Sequence, residues 1–323
     1  MSTTEARLMD RARSMMGIGR LRTREAVIGW LFIGPAVLGL LLFNLGPVLA
    51  SLYLSLTKYD IINPPVWTAL SNYERLLTDD KLFVKSLGVT AYYSALAIPL
   101  SLVVAYLIAL LMNQGIRGIS VYRTIWYLPS LVPATANAIL WTWLLNRDFG
   151  PLNYFLRLGG LPGPDWFGDP NWTVPALVVI HLWGVGNAML IFLAGLQGVP
   201  QHLYEAAEVD GAGWWSKFWN VTIPMTTPII FFNLVIGVIV SFQVFSLVYI
   251  LFTPVASDAS TPAGPENSAL VYVMYLYRNA FLYLQMGYAA AMAWVLLLII
   301  LVMTLLLFRS QGRWVYYEAA PRR

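Results

Sequence analysis

The chain of 323 residues contains no cysteine. A disulfide, a thiolate metal site and a cysteine nucleophile are therefore excluded, and cysteine usage gives no sign of the redox compartment. Charge is also scarce: 11% of residues are Asp, Glu, Lys or Arg, against about 25% in a soluble globular chain. No Gly-Lys pair occurs anywhere. A Walker A phosphate loop needs that pair, so this chain is not expected to hydrolyse ATP or to bind a nucleotide cofactor. The only histidines are His181 and His202, which do not form a metal-ligand pair at helical spacing. No metal and no catalytic dyad is expected, and His181 reads as a packed, hydrogen-bonded residue. The net charge of +4 is small; how it is distributed matters more than its sum, and no nucleic-acid partner is implied.

What is abundant is apolar residues, at 59%. Six runs stand out, at 26–56, 84–112, 120–145, 173–196, 229–252 and 281–308. Each exceeds the roughly 20 residues needed to cross a bilayer as helix. The first is too long for the apolar core of a signal peptide, about 7–15 residues, so it reads as a retained span. The fold class is thus an all-α integral membrane protein of six transmembrane helices. Charged residues enter these runs only near their ends, at Lys85 and Arg123. A proton-coupled pump normally holds an ionisable group at depth. Its absence disfavours a secondary transporter and points to energy supplied from outside the chain.

With six spans both termini share one side. On that side lie the six Arg of residues 1–25, then Arg117, Arg123, Lys217, Arg309, Arg313, Arg322 and Arg323. The other side holds Lys58, Arg75, Lys81, Lys85, Arg147, Arg157 and Arg278. The excess puts both termini, and the loop between the fourth and fifth spans, in the cytoplasm of a multi-pass cell (inner) membrane protein. The chain divides into a basic cytoplasmic tail at 1–25, a six-span domain at 26–310 with its loop at 200–228, and a cytoplasmic tail at 311–323. The first tail reads either as an amphipathic helix on membrane lipid or as a solvated segment that sets topology.

That loop carries clear helix punctuation. Pro200 precedes a short helix running to Asp210, in which Ala206 and Ala207 leave a low-relief face. Gly211 and Gly213 bend the backbone where bending is cheapest. Trp214, Phe218 and Val221 recur at helical spacing in a second short helix, which Pro224 and Pro228 are expected to end. Two short helices joined at a Gly form an L-shaped knob suited to a groove on another protein.

Glu205, Ala206, Ala207, Gly211, Val221, Ile223 and Pro224 resemble the EAA loop of permease subunits of binding-protein-dependent ABC importers. Val221 and Ile223 depart from the consensus but remain apolar. Asn72-Tyr73-Glu74-Arg75-Leu76-Leu77, Gly150-Pro151-Leu152-Asn153 and Gly287-Tyr288-Ala289-Ala290-Ala291 resemble the carbohydrate group of that family, of maltose and glycerol-phosphate type. The similarity spans roughly 28–310 and departs at 253–267. It implies a permease subunit that pairs with a second, homologous permease, a homodimeric cytoplasmic ATPase that binds ATP and Mg, and an extracellular or periplasmic substrate-binding protein. It also implies that Glu205, Ala206, Ala207, Asp210, Gly211, Phe218, Val221, Ile223 and Pro224 couple this chain to the ATPase.

Uncharged polar and aromatic residues also enter the spans. Asn137, Asn187, Asn233, Gln243, Phe242, Phe245 and Tyr249 combine amides, which exchange hydrogen bonds with hydroxyls, with rings that stack on the apolar face of a sugar. The same residues equally serve as interhelical glue and interfacial belts. Of these, Gln243, Phe242, Phe245, Tyr249, Asn187 and Asn137 are the candidate substrate path. Pro99, Pro129 and Pro133 are candidate kinks.

Overall fold

The computed structural model describes residues 25–252 and 263–316. The basic tail, part of the 253–267 loop and the last seven residues lie outside that description. Helix α1, Glu25–Ser55, is followed by a two-stranded antiparallel ribbon pairing Thr57–Lys58 (β1) with Val66–Trp67 (β2). Helices α2 (Ser71–Thr78) and α3 (Lys81–Met112) come next. None of the apolar window of α1 is buried among the described residues. Only the C-terminal part of α1 is held, where the Trp294 indole donates to Ser51 at 3.2 Å.

The Asn72 motif has a structural task. Its amide donates to the Ser55 and Thr57 carbonyls at 2.8 and 2.9 Å, and the Tyr73 hydroxyl meets Ser55 Oγ at 2.8 Å. This satisfies carbonyls orphaned at the end of α1. Asp80 caps α3, accepting from the Phe83 amide at 2.9 Å. At the far end, Arg123 donates twice to the Met112 carbonyl, at 3.2 and 2.8 Å.

The 120–145 run is not one continuous helix. It is α4 (Ile119–Tyr127), a 3₁₀ turn at Leu128–Leu131 and α5 (Ala134–Leu144). Val132 is extended, with ψ 126, because the ring of Pro133 excludes the helical region for the residue before it. The 173–196 run bends by 50° between α7 (Pro170–Trp183) and α8 (Gly186–Gln197). These two irregularities meet. A Cβ on Gly186 would lie 2.8 Å from the Trp126 carbonyl and 2.9 Å from Tyr127 Cα, so only Gly permits the approach. Between them, α6 (Pro151–Leu158) is pinned by fully buried Asn153, which accepts from the Trp166 indole at 2.8 Å and donates to the Pro164 carbonyl at 3.0 Å.

After α9 (Gln201–Val209), one apolar helical stretch runs from Trp214 to Phe252. It comprises α10 (Trp214–Lys217), a π-turn at Phe218–Thr222, α11 (Ile223–Phe242) and, past a break at Gln243, α12 (Ser246–Phe252). Pro224 and Pro228 therefore do not end the second short helix of the loop, contrary to the sequence reading. A helical proline clashes with the carbonyl four residues back. For Pro224 that residue is Asn220, inside the π-turn, where the wider winding displaces the carbonyl. The same pairing recurs in α1, where the π-turn Leu41–Leu45 contains Phe43, four residues before Pro47. The carbonyl left without an amide by Pro228 belongs to Pro224, and it accepts from the Thr227 hydroxyl at 2.7 Å.

The last run also shifts. Helix α13 (Tyr272–Tyr277) and a π-turn at Arg278–Leu282 precede it, and α14 covers Met286–Gln311. Among the described residues, four helices are long and apolar enough to cross a membrane, or five if the bent α7–α8 pair is one span. One core gathers Tyr93, Leu177, Phe242, Tyr272 and Met292. A second, around Ile108, Met112, Met189 and Phe192, sits under the loop.

Candidate coupling loop and substrate path

The loop is a built element. Helix α9 ends in a Schellman turn: the Ala212 amide donates to the Ala207 carbonyl at 2.9 Å and the Gly211 amide to the Glu208 carbonyl at 3.0 Å. Gly211 takes φ +77, which a side chain resists. Glu208 and Lys217 form a 2.7 Å ion pair across the bend, with a modest contribution expected of an exposed pair. The Tyr204 hydroxyl lies 3.1 Å from Thr222 Oγ1, tying α9 to the π-turn.

The candidate coupling residues divide by exposure. Glu205, Ala206, Asp210 and Gly211 face outward, whereas Ala207, Phe218, Val221, Ile223 and Pro224 are half-buried. Phe218 and Ile223 pack against the second core and anchor the knob. Val209, Trp214, Trp215 and Trp219 are all at least 60% exposed and extend the outward face. Asp210 is the C-cap of α9. From the other side, the Tyr316 amide donates to Thr227 Oγ1 at 2.9 Å, and Trp314 lies 5.8 Å from Phe231. The end of α14 is thus folded against the base of the loop.

The substrate-path candidates do not converge on one place. Gln243 is exposed at the break between α11 and α12 and opens on a cleft of about 720 Å³ with Val273, Leu276 and Thr304. Phe242, expected beside it as a stacking wall, is 4% exposed and belongs to the core. Adjacent residues on a helix point some 100° apart, so one turns inward when the other turns out. Asn233 is buried and donates to the Ile229 carbonyl of its own helix at 3.0 Å. It faces no cavity. Asn187 is exposed at the start of α8, and Asn137 is half-buried on α5 with Oδ1 unpartnered.

Phe245 and Tyr249 do come together, with two rings that the sequence reading missed. Tyr277 lies 5.0 Å from Phe245, 5.2 Å from Tyr249 and 4.9 Å from Phe281. The aromatic spacing of Tyr277 and Phe281, four apart, was the available signal, but it fell in a segment read as loop running into the last span.

The coupling knob and the polar cluster around Asp80 lie at opposite ends of α3. Phe218 and Ile223 pack in the core that holds Met112, while Asp80 accepts from Tyr275 at 2.7 Å and from Tyr288. The 32 residues between them span about 48 Å of helix. A mostly helical, multi-pass bundle with an anchored amphipathic knob at one end is the architecture of a membrane transport subunit. The matching family model, binding-protein-dependent transport system inner membrane component, covers residues 97–314, and the chain belongs to that family. It is 40% identical over 298 residues, 92% of this chain and 94% of the relative, to the probable ABC transporter permease protein YesP of Bacillus subtilis strain 168. It is 32% identical to the trehalose/maltose transport system permease protein MalF of Thermococcus litoralis, over 72% of this chain and 79% of that one. A solved bacterial ABC transporter chain involved in import of the acidic polysaccharide alginate shares the fold, with TM-score 0.77, 23% identity, and 92% and 98% of the two chains covered.

Proposed function

We propose that the chain is the carbohydrate-translocating permease subunit of an ABC importer. It sits in the cell (inner) membrane with six crossings, the divided 119–144 segment being one, and with both termini cytoplasmic. A second homologous permease, a homodimeric ATPase holding ATP and Mg, and an external binding protein complete the assembly. The observation that carries this reading is the knob itself, which is exposed on the face bearing Glu205, anchored through Phe218, and continuous with α11 through the π-turn. A displacement of the knob is passed to α11 as a lever movement instead of being absorbed by a slack loop. ATP binding closes the ATPase dimer and carries the knob with it, and the spans open outward; hydrolysis and release reverse the motion. The relatives supply the substrate class, being named for trehalose/maltose, lactose and starch degradation products.

Vanadate-sensitive, ATP-dependent uptake of a carbohydrate by the reconstituted assembly tests the reading. Uptake driven by an ion gradient without ATP would replace it with a secondary transporter. The topology has its own test. Because cysteine is absent, introduced single cysteines are clean probes. Ala206→Cys should react with an impermeant maleimide only from the cytoplasm, and Asp165→Cys only from outside; the reverse pattern would overturn the orientation.

Gln243 remains the path residue to test. Its amide is exposed beside apolar side chains, and such a group is costly in lipid unless it meets water, ligand or another helix. Gln243→Ala should reduce transport about tenfold or change sugar preference, with assembly and basal ATPase activity retained, given the roughly 1–2 kcal/mol of a hydrogen bond to a ligand. Failure to assemble with the partner permease would identify Gln243 as interhelical glue.

A further inference from the structure

At the end of the bundle remote from the coupling loop is a pocket of about 480 Å³ between the end of α1, the β1–β2 ribbon, α2 and the start of α14. Every side chain lining it carries a polar atom. The composition is unusual for a chain that is 59% apolar, and the volume falls in the usual range for small-molecule sites, about 300–1,000 Å³.

The walls are fixed from several sides. The Gly287 amide donates to the Tyr59 carbonyl at 3.1 Å. Arg75 donates to Gln285 Oε1 at 2.9 Å and lies 4.3 Å over the centre of the Tyr288 ring. Tyr288 in turn donates to Asp80. Holding Arg75 flat on one face leaves its remaining N–H groups available to the pocket. Lys58 is exposed on the ribbon, and its ammonium makes no ion pair among the described residues. The one acid in the lining, Asp60, already accepts from Asn63 through both carboxylate oxygens, each at 2.8 Å. The lining thus holds two cations, Lys58 and Arg75, against this one carboxylate, with Asp80 set behind the Tyr288 ring. Tyr283, 45% exposed, and Tyr59 supply rings and hydroxyls.

We infer that this pocket is a binding site for a saccharide bearing a carboxylate, of uronic-acid type. Lys58 and Arg75 pair with the carboxylate, Gln285 and the tyrosine hydroxyls exchange hydrogen bonds with the sugar hydroxyls, and Tyr283 covers an apolar ring face. A charge-assisted fork from Arg75 gives the contact its direction. A compact concave site suits a sugar better than the flat patch a docking protein needs. The inference rests on the carbohydrate and topology readings above and sharpens them: the pocket would capture an acidic saccharide on the outer rim, away from the Gln243 cleft.

The experiment uses the assembled transporter in nanodiscs of zwitterionic lipid, without binding protein. Digalacturonate and galacturonate are titrated against galactose and lactose by calorimetry. The acidic sugars should bind, with affinity falling as salt rises, and the neutral ones should bind at least about tenfold more weakly. Lys58→Gln, at an exposed position with no ion-pair partner among the described residues, should weaken digalacturonate binding about tenfold and leave galactose unchanged. Arg75→Lys keeps the charge but loses the fork, and should weaken binding as well. Equal binding of acidic and neutral sugars, or digalacturonate binding unaffected by Lys58→Gln, overturns the proposal. So does wild-type binding restricted to nanodiscs doped with phosphatidylglycerol, which would mark the pocket as a lipid headgroup site. ATP-dependent uptake is read in parallel. Uptake of a neutral sugar without uronate binding sinks this inference alone, whereas loss of all carbohydrate uptake sinks the functional reading.

Discussion

Gly211→Pro is expected to bring transport to background while the protein reaches the membrane in normal amount and the assembly still hydrolyses ATP. Gly211 sits at φ +77, and its amide donates to the Glu208 carbonyl at 3.0 Å. Proline fixes φ near −65° and has no amide, so both halves of the Schellman turn are lost. A local penalty of about 3 kcal/mol depopulates the native knob about a hundredfold. The damage stays local because a Cβ at Gly211 meets no atom within 4 Å and no core residue moves. Gly211→Asn is the matched control: asparagine enters the left-handed region with little strain, and transport should stay within about threefold of wild type. Wild-type transport by the proline variant would remove the knob from the coupling path.

Gly287→Val is expected to remove most of the folded protein from the membrane. A Cβ on Gly287 would lie 2.1 Å from the Thr57 carbonyl oxygen and 3.1 Å from that of Leu54. Both are backbone atoms where α1 ends and the ribbon begins, so no side chain can swing aside. Relief requires α14 to separate from the end of α1. Overpacking of this kind costs about 3 kcal/mol or more, a large share of a marginal stability. Gly237→Ala is the contrast. Its nearest neighbour would be Ile98 Cγ2 at 3.5 Å, an ordinary contact, and protein level should be unchanged. Membrane-fraction quantification with thermal stability in detergent reads both, and a stable Gly287→Val protein would contradict the close approach.

Some features were legible because they depend on neighbouring residues alone. The apolar runs that became α1, α3 and α14 follow from composition, since a continuous apolar stretch has no soluble alternative. The bend at Gly211 follows from glycine chemistry, and the knob was read with the right start and turn. The breaks at Pro129 and Pro133 were anticipated as kinks, but the extent of the interruption at Leu128–Leu131 was not. The continuation of helix through Pro224 was misread. A proline rule considers one residue, whereas the remedy, a π-turn backed by the hydroxyls of Thr226 and Thr227, is distributed over several.

The site shows the same division. Glu205, Ala206 and Asp210 were named through the resemblance to the EAA loop; the structure shows all three exposed. Which of Phe242 and Gln243 faces inward is decided by packing, because α11 must present one side to the core holding Tyr93 and Leu177. Tyr277 meets Phe245 and Tyr249, and Lys58, Arg75 and Gln285 line one pocket, across separations of some 17 to 227 positions that no local pattern encodes. The sequence by itself determined that the chain is a membrane-embedded, mostly helical subunit and that its backbone bends at Gly211. The tertiary structure alone decided which polar groups open on cavities and which are consumed by their own helices. Hydrophobicity and backbone preference act over a few residues, while a cavity exists only where distant segments leave one between them.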